Sequence, residues 1–389
     1  MERGVTEWYE TMDDFLIGRN WLKLQCGTCQ EIYYAKSQQM SEKCGWRKCA
    51  SAGPHPFMSF PARKRTLSPW GIADHFNNFF RARGYVRVDA KNVADSRAAD
   101  LIIAGVQILD EYIHGSLPPP KEPILIIQPS VRMKFCGKAS ATEGISTSFI
   151  NICTEQVGLA FEEHLAAIDR WFSALSKLGI HMKHVVLRRR DTEKNWGTGS
   201  FGAVELFFLY GGLEIGDAAF GLIPLVSGDT APVSDIGFGL ERMAWALNRT
   251  DSYFDLISPL SIEMEIQVLD AFRTLALLAF FGVDAAYKKA GLQFRRLCKI
   301  VGDSYRKFNA HTLLSQSFDY WERFMTPSRT REEALRSIFL ELDRPLAERV
   351  QEKLQGPRPS DNETLEEYIS KLVYKYSLSV KAVKEALKR

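Results

Sequence analysis

The chain has 389 residues, of which 46% are hydrophobic and 25% are charged, a composition typical of a globular protein with two or three packed units. Lysine and arginine number 50 against 47 acidic residues, which excludes a protein that holds nucleic acid by bulk positive charge. The most apolar window, residues 268–283, contains Asp270 and Arg273, and the N-terminus lacks the apolar segment of a signal peptide. These features predict a cytoplasmic protein with no membrane partner.

Four of the seven cysteines form two short pairs near the N-terminus, at Cys26, Cys29, Cys44 and Cys49. In a chain without a secretory signal, the spacing C-x2-C and C-x4-C favours four thiolate ligands on one Zn²⁺ over disulfides. A site closed by four sulfur ligands stabilises the fold and leaves no position for catalysis. The other cysteines are predicted to be buried free thiols: Cys136, Cys153 and Cys298.

The remaining elements follow in chain order after a turn-rich stretch, and we predict a zinc-binding N-terminal module over residues 1–63. SPWGIADHFNNFF predicts a helix capped by Ser68, with Pro69 in its first turn, that leads into a strand at GYVRVDA. ILIIQPSVRMKF and STSFINICTEQ predict an antiparallel strand pair, followed by a helix over about 158–178 and three further strands. Short turns between neighbouring strands predict an α+β fold with an antiparallel sheet over residues 64–250. Residues 251–389 are predicted to form a helical domain.

An arginine stands where a helix least favours a positive charge. In VSDIGFGLERMAWAL, two glycines predict a tight turn before an apolar helix, and Arg242 falls in its first turn. The helix dipole disfavours a cation there by up to about 1 kcal/mol unless an anion is nearby. Either a neighbouring carboxylate or a bound phosphate can supply that anion.

Arg132 raises the same question, because strand alternation places it on a face with Ile126 and Gln128, where an unpaired charge is costly. A solvated position or an ion pair explains each arginine alone, whereas the two together favour a shared anionic ligand. Acidic residues on the intervening strands can carry a divalent ion to that ligand: Glu205, Glu214 and Asp217. Together these positions predict a nucleotide site.

The motifs resemble those of a known enzyme family. GFGLERMA is similar to motif three of class II aminoacyl-tRNA synthetases, and QPSVRM with STSFINI is similar to motif two. The DIG tripeptide, the four-cysteine segment and GSLPPPKEPILIIQPSVRM resemble the archaeal branch of the alanyl-tRNA synthetase family, over nearly the full chain. The resemblance implies the class II synthetase fold, an antiparallel sheet flanked by helices, with an N-terminal zinc module and a C-terminal helical domain.

The resemblance also implies an ATP site with Mg²⁺. Arg132 would bind the α-phosphate, Arg242 would bind the γ-phosphate, and Phe149 would stack on adenine. Glu214 and Asp217 would hold Mg²⁺ or the nucleotide.

An amino-acid pocket is implied beside the ATP site. Trp196 would form its wall, Asp235 would pair with the α-ammonium group, and Gly237 would keep the pocket small. The alternatives are a core aromatic for Trp196 and a helix cap or Asx turn for Asp235.

Several positions depart from the family pattern. Gly144 and Ile145 stand in place of an arginine-histidine pair, Ile150 replaces an acid, and residues 201–203 replace a Gly-Pro-Cys turn. The editing domain is absent, so His181 and His184 are expected to be surface residues. The segment that reads the tRNA acceptor in the family is NAHTLLSQSFDYWERFMTPS here, which offers few cations, and the RRR run at 188–190 is predicted to be a solvated loop.

These observations predict ATP-dependent activation of a small amino acid, alanine or else glycine or serine, as its adenylate. The acceptor is predicted to be a small molecule or a carrier protein more than tRNA. The alternatives are a truncated alanine–tRNA ligase that charges tRNA, and a non-catalytic paralogue that binds a nucleotide or an amino acid.

Overall fold

A computed structural model describes residues 2–37, 43–49, 53–61, 66–96, 99–196, 198–257, 264–355 and 364–375. Within these ranges, no helix has the length and apolar character needed to cross a membrane. Three stretches of the predicted helical domain lie outside the described residues, namely 258–263, 356–363 and 376–389.

The strands of the described chain join into one nine-stranded sheet. Their bounds are β1 Leu22–Gln25, β2 Ile32–Ala35, β3 Val86–Val88, β4 Ile124–Val131, β5 Ser148–Val157, β6 Val185–Trp196, β7 Gly199–Tyr210, β8 Leu213–Pro224 and β9 Thr230–Gly239. Across the sheet they follow the order β1-β2-β6-β7-β8-β9-β5-β4-β3. β3 runs parallel to β4 and every other pair is antiparallel, which confirms the predicted antiparallel sheet apart from this edge.

Helices flank this sheet and dominate the chain after residue 251, as the sequence predicts. The helices of the described residues are α1 Glu2–Ile17, α2 Pro69–Arg81, α3 Asp110–Ile113, α4 Phe161–Leu178, α5 Leu240–Asn248, α6 Ile266–Phe280, α7 Lys289–Val301, α8 Ala310–Trp321, α9 Arg331–Gln355 and α10 Leu365–Lys375. The three-part division at residues 63 and 250 stays a prediction. β2 pairs with β6, so the N-terminal segment contributes strands to the same sheet.

One face of the sheet is closed by α2 and α4. α2 begins as predicted, because the Ser68 hydroxyl accepts a hydrogen bond from the Gly71 N–H at 3.2 Å and Pro69 follows the cap. The ring of Trp171 on α4 lies 4.7 Å from Phe80 of α2 and 4.5 Å from Phe238 of β9, centroid to centroid. These aromatic contacts fill the helix-covered face, and the cavity that Gly237 lines lies on the opposite face.

Strand alternation decides which side chains reach that opposite face. On β5, Ile152 joins the main core while its neighbour Cys153 faces the other way, into a smaller apolar cluster. On β9, Phe238 points to the helices and the adjacent Gly237 lines a cavity on the opposite face. The open face therefore carries the odd-numbered residues of both strands in this region.

Two local predictions are wrong. The arginine run at 188–190 is part of β6 and not a loop, and Arg188 is only 4% exposed because its strand pairs on both sides and its guanidinium lies 3.9 Å from the Trp46 ring centroid. Gly237 and Gly239 lie within β9 and not in a turn. Gly237 is needed for space, because a Cβ there would lie 3.0 Å from Asn151 Nδ2 and 3.3 Å from Cys153 Sγ.

Candidate active site

Two adjoining cavities open on the uncovered face of the sheet, across β4, β5, β7, β8 and β9. We call the first the arginine cavity, lined among others by Arg132, Gly144, Phe149, Glu214, Asp217, Gly237 and Arg242. We call the second the acidic cavity, with a volume of about 660 Å³, lined among others by Arg132, Lys194, Trp196, Phe201, Glu205, Asp217, Asp235 and Gly237. Because five residues line both, the cavities form one continuous site: Arg132, Asn151, Glu214, Asp217 and Gly237. The structure thus brings together all eight residues that the motifs assigned to ATP and the amino acid.

Arg132 directly follows β4 and enters both cavities. Its Nε donates a hydrogen bond to the Ile103 carbonyl at 3.0 Å, and its guanidinium lies 4.7 Å from the Phe149 ring centroid. Burial lowers the pKa of Arg132, and Arg242 adds to that effect, whereas Asp217 and Glu214 oppose it. The backbone contact fixes one edge of the guanidinium, so the other edge is left to meet an anion.

Arg242 enters the arginine cavity from the first turn of α5. Its Nε donates to the Gly144 carbonyl at 3.0 Å, and Nη1 donates to the Glu214 carbonyl at 2.9 Å and lies 3.5 Å from Glu214 Oε1. Gly144, a departure from the family pattern, has φ of +62°, and a Cβ there would lie 3.0 Å from the Trp245 ring. The glycine therefore lets the loop carbonyl reach and orient Arg242.

The neighbouring Glu241 also lines the arginine cavity, but its carboxylate is engaged by partners in the core. Its carboxylate pairs with Arg273 of α6 at 2.7 Å, accepts the Ile150 N–H at 2.9 and 3.0 Å, and accepts the Tyr320 hydroxyl at 2.9 Å. The apolar α6 segment contains two charged residues, and both have partners. Arg273 pairs with Glu241, and Asp270 accepts the Thr147 N–H at 2.9 Å. These buried bonds tie α5, α6 and α8 to β5 and hold the arginine cavity in shape.

The acidic cavity is lined by several carboxylates and by two lysines that the motifs do not predict, Lys134 and Lys194. Lys194 of β6 bonds Glu205 of β7, with 2.6 Å between Nζ and Oε1. Burial raises the pKa of Asp217 to about 7; Lys194 opposes this shift, while Glu205 and Asp235 add to it. Burial likewise raises the pKa of Asp235, again against the attraction of Lys194. Alternation along residues 194–196 places Lys194 on the same face as Trp196, and this is the signal in the sequence that points to Lys194.

Trp196 and Asp235 both line the acidic cavity. Trp196 ends β6 at the cavity wall, and its Nε1 donates to Asp110 of α3 at 3.0 Å. Asp235 lies in the middle of β9, opposite Glu155 of β5, and not at a helix cap or an Asx turn. The wall and the acidic floor therefore come from strands far apart in sequence.

The four N-terminal cysteines form the predicted cluster. The four sulfur atoms all lie within 4.8 Å of one another, and Cys29 Sγ and Cys44 Sγ are 3.8 Å apart. Although burial raises the pKa of Cys26, hydrogen bonds from the backbone of Cys29 and Cys44 lower it to about 6, which favours a thiolate. This donor set and spacing fit a tetrahedral zinc ion, and Tyr33 of β2 and Val186 of β6 pack around the cluster.

Comparisons with known proteins find relatives among the alanine–tRNA ligases. The alanine–tRNA ligase of Korarchaeum cryptofilum (strain OPF8) is 27% identical over 256 residues, which are 63% of this chain and 27% of that protein. The enzyme of Archaeoglobus fulgidus is 23% identical over 307 residues, 74% of this chain and 32% of that protein. The chain is thus similar to alanine–tRNA ligases over 63–74% of its length. It spans about a quarter to a third of the length of these relatives.

Among solved structures, a pyrrolysyl-tRNA synthetase from Desulfitobacterium hafniense is similar to part of this chain. The TM-score is 0.36 with 14% sequence identity, and the alignment covers 50% of this chain and 75% of that one. No family model matches the chain.

Proposed function

We propose that this protein activates a small amino acid, alanine or else glycine or serine, by forming its adenylate from ATP. The observation that carries the proposal is the convergence of Arg132 and Arg242 on one cavity that is continuous with the acidic cavity. A triphosphate in the arginine cavity would place its α-phosphorus next to an amino acid held between Trp196 and Asp235.

The reaction is an in-line displacement. A carboxylate oxygen of the amino acid attacks the α-phosphorus, the α–β phosphoanhydride bond breaks, and pyrophosphate leaves. Arg132 neutralises the charge at the α-phosphate and Arg242 that at the γ-phosphate, so positioning and electrostatic stabilisation supply most of the rate. Glu214 and Asp217 offer carboxylate oxygens for Mg²⁺. Phe149 supports the adenine, with one ring face already covered by Arg132.

The acceptor of the aminoacyl group is proposed to be a small molecule or a carrier-protein thiol. The segment that reads the acceptor stem in the family is α8 here, and its apolar residues Leu313, Leu314 and Phe318 are buried. Tyr320 of the same helix donates a hydrogen bond to the buried Glu241, so this helix packs into the core. A site for an RNA duplex requires a group of cations at phosphate spacing, which this segment does not offer.

Amino-acid-dependent exchange of pyrophosphate into ATP tests the proposal. We expect exchange with alanine, glycine or serine in the zinc-loaded protein, and its loss in Arg132→Ala and Arg242→Ala. Asp235→Ala should remove amino-acid binding and spare ATP binding. Absence of exchange with all three amino acids would favour a non-catalytic binding protein.

A second assay separates the acceptors. The protein is loaded with ATP and labelled amino acid and then mixed with tRNA, with a carrier protein bearing a phosphopantetheine thiol, or with small amines. Transfer to the carrier or to an amine supports the proposal, and transfer to tRNA alone would establish a truncated tRNA ligase instead.

A further inference from the structure

Beneath the acidic cavity lies a set of side chains that neither motif explains. Cys153 and Glu155 alternate along β5 and so share one face, and Asp235 of β9 is directly opposite Glu155. One ligand atom from each lies within 4.8 Å of the others. Cys153 and Glu155 are fully buried, whereas Asp235 also lines the acidic cavity.

Glu155 lacks the partners that a buried carboxylate needs. Neither of its oxygens has a hydrogen-bond donor among the described residues, and the polar group beside it is the carboxylate of Asp235. Burial and the negative charge of Asp235 raise the pKa of Glu155 well above its usual value. Burying a charge without compensation is unfavourable, so this position calls for a cation or for a bound proton.

The surrounding charges favour a cation. Four carboxylates gather here: Glu155, Glu205, Asp217 and Asp235. Three cations also line the acidic cavity, namely Arg132, Lys134 and Lys194, and the Lys194 ammonium is already engaged by Glu205 at 2.6 Å. None of the described residues donates a hydrogen bond to Glu155, and the sulfur of Cys153 beside the two carboxylates favours a metal ion over a shared proton.

We propose that Cys153, Glu155 and Asp235 bind a divalent transition metal, Zn²⁺ by its ligand preference, whose open position faces the acidic cavity and takes the amino group of the substrate. A sulfur and two carboxylate oxygens suit Zn²⁺, whereas Mg²⁺ and Ca²⁺ prefer oxygen ligands alone. Three protein ligands with one open position are typical of functional zinc sites, in contrast to the closed four-cysteine cluster.

The geometry leaves room for this ligand. Gly237 is directly opposite Cys153, and a Cβ at Gly237 would lie 3.3 Å from Cys153 Sγ, so the glycine keeps the cavity side of the sulfur open. On binding, Cys153 loses its thiol proton to solvent, and an ammonium substrate loses one proton so that its nitrogen lone pair can bind the metal. The second oxygen of Asp235 remains available to accept a hydrogen bond from that amine. The amine-binding part of this proposal rests on the proposed function, whereas the metal site does not.

Metal content of the full chain tests the site. We expect about two zinc ions per wild-type chain and about one fewer in Cys153→Ser and in Glu155→Gln, measured by native and plasma mass spectrometry after zinc loading. Cys298→Ser is the matched control, because Cys298 is a buried thiol on α7 outside both clusters, and it should keep the wild-type content. Equal zinc content in wild type, Cys153→Ser and Glu155→Gln would overturn the metal site.

Thermal unfolding distinguishes loss of the metal site from misfolding of a variant. In zinc-loaded protein Glu155→Gln should lower Tm, and in chelated protein it should leave Tm unchanged or raise it, because it removes an unpartnered carboxyl group. The same direction of shift in both conditions would overturn the proposal.

Cobalt substitution tests the open position. Alanine added to the Co²⁺-loaded wild type should shift the visible absorption of the metal, and a spectrum unchanged at saturating alanine would overturn amine binding. Pyrophosphate exchange in the same samples keeps the two proposals apart. Pyrophosphate exchange by protein that holds no second metal ion would overturn the metal site alone. Protein that holds the second metal ion but shows no pyrophosphate exchange would overturn the adenylation function alone.

Discussion

Two buried glutamates, Glu241 under α5 and Glu155 under the acidic cavity, occupy environments of opposite kind. Both are almost fully removed from solvent. Glu241 is paired with Arg273 and receives further hydrogen bonds from a backbone N–H and a tyrosine hydroxyl, whereas Glu155 receives none from the described residues. The satisfied carboxylate holds helices to the sheet, and the unsatisfied one lies where a ligand is expected. A buried charge therefore indicates architecture when its partners are present and a binding site when they are missing.

The largest effect is expected from Glu241→Gln. This change leaves the buried Arg273 without its ion-pair partner, so the free energy of unfolding should fall by about 3–5 kcal/mol. Urea unfolding measures it, and Glu332→Gln is the control because its ion pair with Arg336 is exposed and should contribute less than about 1 kcal/mol. Equal losses in the two variants would contradict the assigned role of Glu241.

Next in size are the cavity arginines. Arg242 adjoins Glu241 in sequence but faces the ligand, so Arg242→Ala and Arg132→Ala should each lower the pyrophosphate exchange rate by about 10²–10³-fold. Their circular dichroism and Tm should stay close to wild type. Arg323→Ala removes the same charge from beside Trp70, outside both cavities, and should keep exchange. A pyrophosphate exchange rate equal to that of wild type in either cavity variant would contradict the assignment of that arginine to the ligand.

Asp217 gives a pH-dependent effect of intermediate size. Its pKa is raised from 3.8 to about 7 in the folded chain, so the stability that it contributes is present below about pH 3.8 and is lost as the pH rises to about 7. Between pH 4 and 7 in metal-free buffer, the free energy of unfolding should therefore fall less in Asp217→Asn than in wild type. Urea unfolding at each pH measures this difference. If the free energy of unfolding changed with pH in the same way in both proteins, ionisation of Asp217 would not destabilise the folded chain in this range.

The smallest effect is expected at Gly237. The methyl group of Gly237→Ala would press on Asn151 and Cys153, at a cost of about 1–3 kcal/mol that should appear mainly as a higher KM for the amino acid. Gly239→Ala is the steric comparison, because its methyl would meet no atom closer than 3.8 Å and should change that KM less. A larger increase in KM for Gly239→Ala would reverse the assignment of the amino-acid pocket.

Local features were predicted well because short-range chemistry fixes them. The four-cysteine spacing predicted a cluster that the structure contains, and the Ser68-Pro69 cap predicted the start of α2. Arg242 was noticed because a cation in a first helical turn is unfavourable in any fold, and that argument needs no tertiary structure. The motif residues for ATP and the amino acid line one continuous site, although their individual roles stay proposals.

The sequence alone determined which residue types needed an explanation, and the tertiary structure decided what each of them meets. The pairing of β5 with β9 sets Glu155 against Asp235, and the packing of α6 sets Arg273 against Glu241. Strand register and helix packing join positions about 30 to 80 residues apart in these two cases, and local spacing carries no signal of such contacts. For the same reason the arginine run at 188–190 read as a solvated loop, whereas its neighbours on both sides made it a central strand.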